Sequence, residues 1–260
     1  AGRLLEAEKL YTRVRAAAPS SFDAQHLCGL VAQQQGRHRE AADLLRSALR
    51  LNPASALCEM RLGVACVALG DLANGEKHLR GATTRAPEMP EAWSHLGAAL
   101  RALGRPADAR IAYARAIALK PDCDEAHDRL GALVSETEGF AAAVPHFRRA
   151  VELAPRDATR LANLGVALAQ AASPEEALTY LDRALALEPD HRLALSGRAL
   201  ALQQTYRLPE AVAAYGEVLA KHPCDHEARS GRLLSLHYLD NVSREKNFAE
   251  HTAFGDAIGT

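Results

Sequence analysis

Apolar positions along this chain fall into two helical patterns that alternate. In the stretch Pro90 to Cys123, Trp93, Leu96, Gly97 and Leu100 recur at three-and-four spacing, and beyond Gly104 the residues Ala109, Ala112, Tyr113 and Ala116 do the same. Each set occupies one face of a helix, so the stretch predicts a first helix, a turn and a second helix. A small residue on each stripe lets the two axes approach to roughly 8–10 Å, and the bulky residue a turn away fills the remaining space. Gly97→Leu is expected to overpack that crossing at roughly 1–3 kcal/mol.

The neighbouring stretches are copies of this one. At an interval of 34 residues stand Pro19, Pro53, Pro87, Pro121, Pro155, Pro189 and Pro223. A small residue follows in register at Gly29, Gly63, Gly97, Gly131, Gly165 and Ala199, and an alanine column runs through Ala7, Ala41, Ala109, Ala143, Ala177 and Ala211, broken only by Gly75. Four residues beyond that column comes a bulky side chain: Tyr11, Leu45, Leu79, Tyr113, Phe147, Leu181 or Tyr215. Each proline closes a second helix, because it can neither donate the next backbone hydrogen bond nor leave its predecessor comfortably helical.

Trp93, Leu96, Gly97, Ala109, Tyr113, Ala116 and Pro121 stand at the offsets of a known 34-residue helix-turn-helix unit, and the chain from residue 1 to 239 resembles the tetratricopeptide repeat (TPR) family. The resemblance implies an all-α fold, a right-handed α-solenoid in which each helix pair touches only its neighbours. Residues 1–21 align with the second helix of a truncated repeat, residues 22–225 form six complete repeats, and residues 226–260 form a final half repeat and a junction helix. Gly36, Gly70 and Gly104 mark internal turns, and Ser173, Pro174 and Glu176 predict a capping box. Pro145 falls inside a second helix, where it should remove a backbone hydrogen bond or kink the chain.

Composition narrows the function. With 31 basic against 32 acidic residues the chain has no net field to attract nucleic acid or a membrane surface, and no apolar run approaches a membrane span. Five cysteines form no CxxC pair; they read as reduced thiols in a cytoplasmic protein, with Cys28 and Cys66 as small core residues. No catalytic motif stands out, so neither catalytic residues nor a cofactor is expected. His222, Cys224 and His226 cluster around the last repeat proline without a fourth ligand, so no metal is expected either.

The closing segment carries a second resemblance. Leu233, Leu234, Tyr238, Ser243, Glu245, Phe248, Ala249, Glu250, His251, Phe254 and Gly255 are similar to the junction between repeats and catalytic region in bacterial glycosyltransferases of the O-linked N-acetylglucosamine transferase family. That resemblance implies an acceptor-recognition arm whose sugar-nucleotide domain would lie beyond Thr260. The alternative is a free-standing cytoplasmic scaffold that assembles a complex and catalyses nothing.

Binding is expected on the concave face lined by first helices. Residues two before the small column face that groove in the transferase family and read here Leu27, Arg61, His95, Arg129, Asn163, Gly197 and Gly231. Arg61, His95 and Arg129, with neighbouring Arg101, suggest a site for an acidic or polar segment, although solvated side chains on an ordinary helix face would give the same pattern. Asn163 alone keeps the asparagine with which that family grips a peptide backbone. The next column, Leu30, Val64, Ala98, Ala132, Val166, Leu200 and Leu234, is apolar where the chaperone-tail clamp needs asparagine. The expected partner is thus a protein or peptide, with self-association through exposed terminal repeats also open.

Overall fold

The structure is a computed structural model that describes residues 2–239 and 252. The side chains of residues 2–5, 7 and 8 fall outside the description, so Ala7 remains a sequence assignment. The junction residues Ser243, Glu245, Phe248, Ala249, Glu250, His251, Phe254 and Gly255 likewise lie outside the described residues.

Fourteen helices and no strands make up the described residues: α1 Gly2–Ala17, α2 Phe22–Gln34, α3 His38–Leu51, α4 Ala56–Ala68, α5 Leu72–Arg85, α6 Pro90–Ala102, α7 Pro106–Leu119, α8 Asp124–Thr137, α9 Phe140–Leu153, α10 Ala158–Gln170, α11 Pro174–Leu187, α12 Arg192–Gln204, α13 Leu208–Lys221 and α14 His226–His237. The even-numbered helices are the first, or A, helices of their repeats, and the odd-numbered are the B helices. The fold is all-α, of the solenoid class. The chain divides into two compact units, Ala1–Arg129 and Leu130–Thr260. In the first, α2 packs on α3, α4 on α5 and α6 on α7; in the second, α10 packs on α11 and α12 on α13.

The helix boundaries follow from local chemistry. The residue two beyond each repeat proline is the N-cap of an A helix, and there Ser21, Ser55, Asp157, His191 and Asp225 accept the backbone N–H three residues on, at 3.0–3.3 Å. Met89 has no such group, but Pro90 at the first helical position supplies a fixed φ instead. Five of the A helices, α2, α4, α6, α10 and α12, then end in a left-handed residue. Gly36, Gly70 and Gly104 take φ of +74°, +80° and +71°, whereas Ala172 and Tyr206 adopt φ of 60° and 57° without glycine's freedom. The six-residue closure that defines a Schellman turn follows, for example Arg105 N–H to Leu100 O at 2.9 Å and Arg207 N–H to Leu202 O at 3.0 Å.

One expectation changes. Ser173 does occupy the N-cap of α11, but its side chain makes no capping bond. Glu176 reaches instead to Arg148 on α9, 2.8 Å away, so the predicted capping box is absent. Pro145 neither ends nor divides α9, and its ring lies on the exposed side. The missing N–H leaves the Ala141 carbonyl without its helical partner, and Ala141 is exposed.

The crossings are as the spacing predicts. A Cβ built on Gly29, Gly63, Gly97, Gly131 or Gly165 would stand 2.5–2.9 Å from the side chain of Leu45, Leu79, Tyr113, Phe147 or Leu181 respectively. Each bulky B-helix residue thus rests directly on an A-helix glycine. Gly75, the exception in the alanine column, makes room for Val67, whose methyl a Cβ would meet at 2.5 Å. The last full repeat departs from the scheme: Ala199 replaces the glycine, and Tyr215 places its ring over Gly231 of the following helix. The Tyr215 hydroxyl donates to Gln203 Oε1 at 2.8 Å.

Candidate functional site on the A helices

Successive A helices of the first unit touch, α2 against α4 and α4 against α6. The column holding Arg61 and His95 runs along these contacts, and both side chains are half-buried. Arg129, at the end of the unit, reaches back to α6: its Nη1 donates to the Ser94 carbonyl and to His95 Nδ1, both at 3.3 Å, while Nη2 holds Glu125 Oε1 at 2.5 Å. A guanidinium has no acceptor, so His95 Nδ1 must accept and the neutral ring carries its proton on Nε2. Burial first, and Arg129 second, push the His95 pKa down to about 4, leaving it uncharged at neutral pH.

The row is thus less basic than its spelling suggests. Arg129 is compensated by Glu125, and His95 is neutral. Arg61 differs from both. It has no ion-pair partner among the described residues, and its Nε is buried without an acceptor. Its charge acts on His26 of α2, which is 8% exposed, rests against the Phe22 ring at 5.4 Å and has a buried Nε2 without a partner. Burial, then the charge of Arg61, lowers the His26 pKa, with Asp23 opposing. His26 stands one residue before the column examined in the sequence, and nothing periodic singled it out.

The remaining predicted residues are placed apart from this cluster. Arg101 lies further along α6, half-buried and engaged with a neighbour, and Asn163, also engaged, belongs to α10 of the second unit. Gly197 and Gly231 serve packing rather than contact with a ligand. A Cβ at Gly197 would meet Val166 at 2.7 Å and Leu181 at 3.1 Å, and one at Gly231 would enter the Tyr215 ring. The space above these glycines is a half-open cleft of about 390 Å³ lined by Val166, Leu193, Leu200, Gln203 and Tyr215.

A recurring device escaped the sequence reading. Six residues beyond the repeat proline, Gln25, Trp93, His127 and Arg229 each donate a side-chain hydrogen bond to the carbonyl of Pro19, Pro87, Pro121 or Pro223, at 2.7–3.1 Å. At Pro155 and Pro189, where leucines take that position, Arg183 and Lys221 reach the carbonyl from the B helix at 3.3 Å. At Pro53 the position holds Glu59, an acceptor, which turns to Arg85 and lies 3.7 Å from His78 Nδ1.

All five cysteines are free thiols; Cys28, Cys58 and Cys66 are buried, and burial raises the Cys58 pKa to about 11. Among the described residues no three histidine, cysteine or acidic side chains gather closely enough to hold a metal ion. Within the same residues no helix is long and apolar enough to cross a membrane.

Comparison with known proteins follows the same lines. The tetratricopeptide repeat family model matches residues 60–124, 129–192 and 163–223, and that of anaphase-promoting complex, cyclosome, subunit 3 matches residues 2–82. No curated protein sequence matches significantly. Among solved structures, YrrB, described as a TPR protein with an unusual peptide-binding site, is 23% identical over 73% of this chain and 97% of its own, with a TM-score of 0.51. A chain of the APC/C hetero-tetramer Cut9–Hcn1 is 15% identical over 99% of this chain and 51% of its own, with a TM-score of 0.73. PilF of Pseudomonas aeruginosa is 18% identical over 80% and 95%, with a TM-score of 0.72. At these identities the likeness is one of fold. With the 34-residue period, the glycine crossings and a family match over more than half its length, the chain belongs to the tetratricopeptide repeat family.

Proposed function

We propose that this chain is a scaffold that binds protein or peptide segments along the face of its A helices. The observation that supports it is Arg61, a half-buried cation on that face with no ion-pair partner among the described residues. YrrB, of the same family and similar fold, is described as having a peptide-binding site. In this reading Arg61, His95, Arg101 and Arg129 form the polar contact surface of the first unit, with Asn163 contributing in the second. Peptides recovered by display selection on the chain should bind Arg61→Ala at least several-fold more weakly, by isothermal titration calorimetry. Unchanged affinity would remove the row from the site.

The finer reading, an acceptor-recognition arm of a bacterial O-linked N-acetylglucosamine transferase-like enzyme, rests on the sequence likeness of residues 233–255. Such an arm would act by raising the local concentration of acceptor beside a catalytic domain. A reading frame continuing several hundred residues past Thr260 with alternating strands and helices supports it, and a stop codon there discards it. The family match of residues 2–82 to a subunit of a multiprotein complex favours the second reading, a free-standing assembly scaffold. Free thiols throughout fit a reducing, cytoplasmic setting for either.

A further inference from the structure

We propose that the cleft across α10, α12 and α14 receives one large apolar side chain of a bound segment, and that a lysine or arginine beside it on that segment is held by Glu227. This rests on the peptide-binding reading above and adds to it a separate site, within the second unit, with a stated side-chain preference.

The cleft exists because the groove column is bare there. Where the first unit carries Arg61 and His95, the second has Gly197 and Gly231, which put no side chain into the space above them. The packing around the two glycines keeps it so, since a Cβ on either would meet Val166 or the Tyr215 ring. About 390 Å³ is left open, near the lower end of the roughly 300–1,000 Å³ of ligand pockets. That size suits a single side chain rather than the face of a whole helix.

Its walls are apolar. Leu193 and Leu200 stand seven residues apart on α12, on one face and about 10 Å apart along the axis, and Val166 of α10 adds to the lining. Leu193 is 39% exposed, so an apolar side chain seated against it removes both surfaces from water. Gln203 accepts the Tyr215 hydroxyl on Oε1, which leaves its amide N–H groups to donate to a backbone carbonyl of the segment.

Charge gives the occupant a direction. Glu227 is the one charged residue lining the cleft. It follows Leu193 by one repeat length on the neighbouring A helix, and α12 and α14 touch, so the carboxylate belongs to the Leu193 end. The shallower space that continues past Leu193 and Ser196 is also lined by Glu227, together with Arg192 and Asp225. Those two already pair at 3.2 Å, and Asp225 accepts the Ala228 N–H as well. Glu227 has no ion-pair partner among the described residues, so the group that complements this end is a cation.

The test is display selection of random dodecapeptides on the immobilised 260-residue chain, run in parallel on Ser196→Phe, which fills the cleft from α12 and is checked for folding by circular dichroism. The expected result is a class of peptides enriched on the parent alone, carrying a Leu, Met or Phe next to a Lys or Arg. By fluorescence anisotropy, changing the apolar residue to Ala should weaken binding at least about tenfold, and changing the base to Gln about two- to fivefold. Glu227→Lys, at an exposed position, should turn the preference for a base into one for Asp or Glu. Arg61→Ala should leave this class unaffected. Enriched peptides that Arg61→Ala weakens and Ser196→Phe does not would overturn the inference and leave the scaffold reading standing. Apolar peptides indifferent to Glu227→Lys overturn the cation preference, and a library without enrichment removes both the inference and the reading beneath it.

Discussion

Gly97 and Gly216 show how differently one residue type behaves in this chain. A Cβ at Gly97 would stand 2.6 Å from the fully buried ring of Tyr113, while nothing lies within 4 Å of one at Gly216 in α13. In Gly97→Ala an overpacking cost of roughly 1–3 kcal/mol meets a helix-propensity gain of ~1 kcal/mol, so net destabilisation is expected. Gly216→Ala keeps only the gain, roughly 0.5–1 kcal/mol of added stability. Urea titrations of the two variants should move in opposite directions. His95 gives a pH effect with a definite sign. Its folded pKa lies below the unfolded 6.5, so the folded chain binds fewer protons between pH 6.5 and about 4. The protein should lose stability as the pH drops through that window, and His95→Asn should flatten the loss in urea midpoints measured from pH 7.5 to 5. The glycine crossings were legible in the sequence because a close approach admits one kind of residue and so writes a column. His26 was not, since its part in the cluster depends on α2 meeting α4, which no spacing within α2 records.

At the level of the element, caps and turns divide into those the sequence displays and those it hides. The bond from Asp157 to the Arg160 N–H at 3.0 Å predicts that Asp157→Ala costs about 0.5–2 kcal/mol. Ser173→Ala, at an N-cap whose hydroxyl bonds nothing, should stay within about 0.5 kcal/mol of the parent. Thermal melts followed by circular dichroism distinguish the two. Ser173 has the spelling of a capping box, but Glu176 is drawn away to Arg148, a choice made by the neighbouring helix rather than by the local sequence. The proline-carbonyl bonds were hidden for another reason. Gln25, Trp93, His127 and Arg229 share only an N–H at a suitable reach, so no single letter marks their column. Trp93→Phe keeps the ring in place and removes one such bond, at an expected cost of about 0.5–1.5 kcal/mol.

For the molecule as a whole, stability in a repeat array is carried by contacts between neighbours, so damage should stay near its origin. Gly97→Ala is expected to speed amide hydrogen exchange in α6 and α7 and in the helices they touch, while α12 to α14 keep their parental rates. Uniformly faster exchange would instead describe a single cooperative globule. The last full repeat carries this dependence on neighbours one step further. With Ala199 in place of a glycine, the Tyr215 ring lies instead on a bare backbone at Gly231, so these three residues form one interlocked set. The modules are consequently not interchangeable parts. A cut-and-paste of the Pro90 to Cys123 unit into the place of α14 would bring an imidazole to the spot that Tyr215 already fills, and a permuted array would jam at that seam although every module in it is sound.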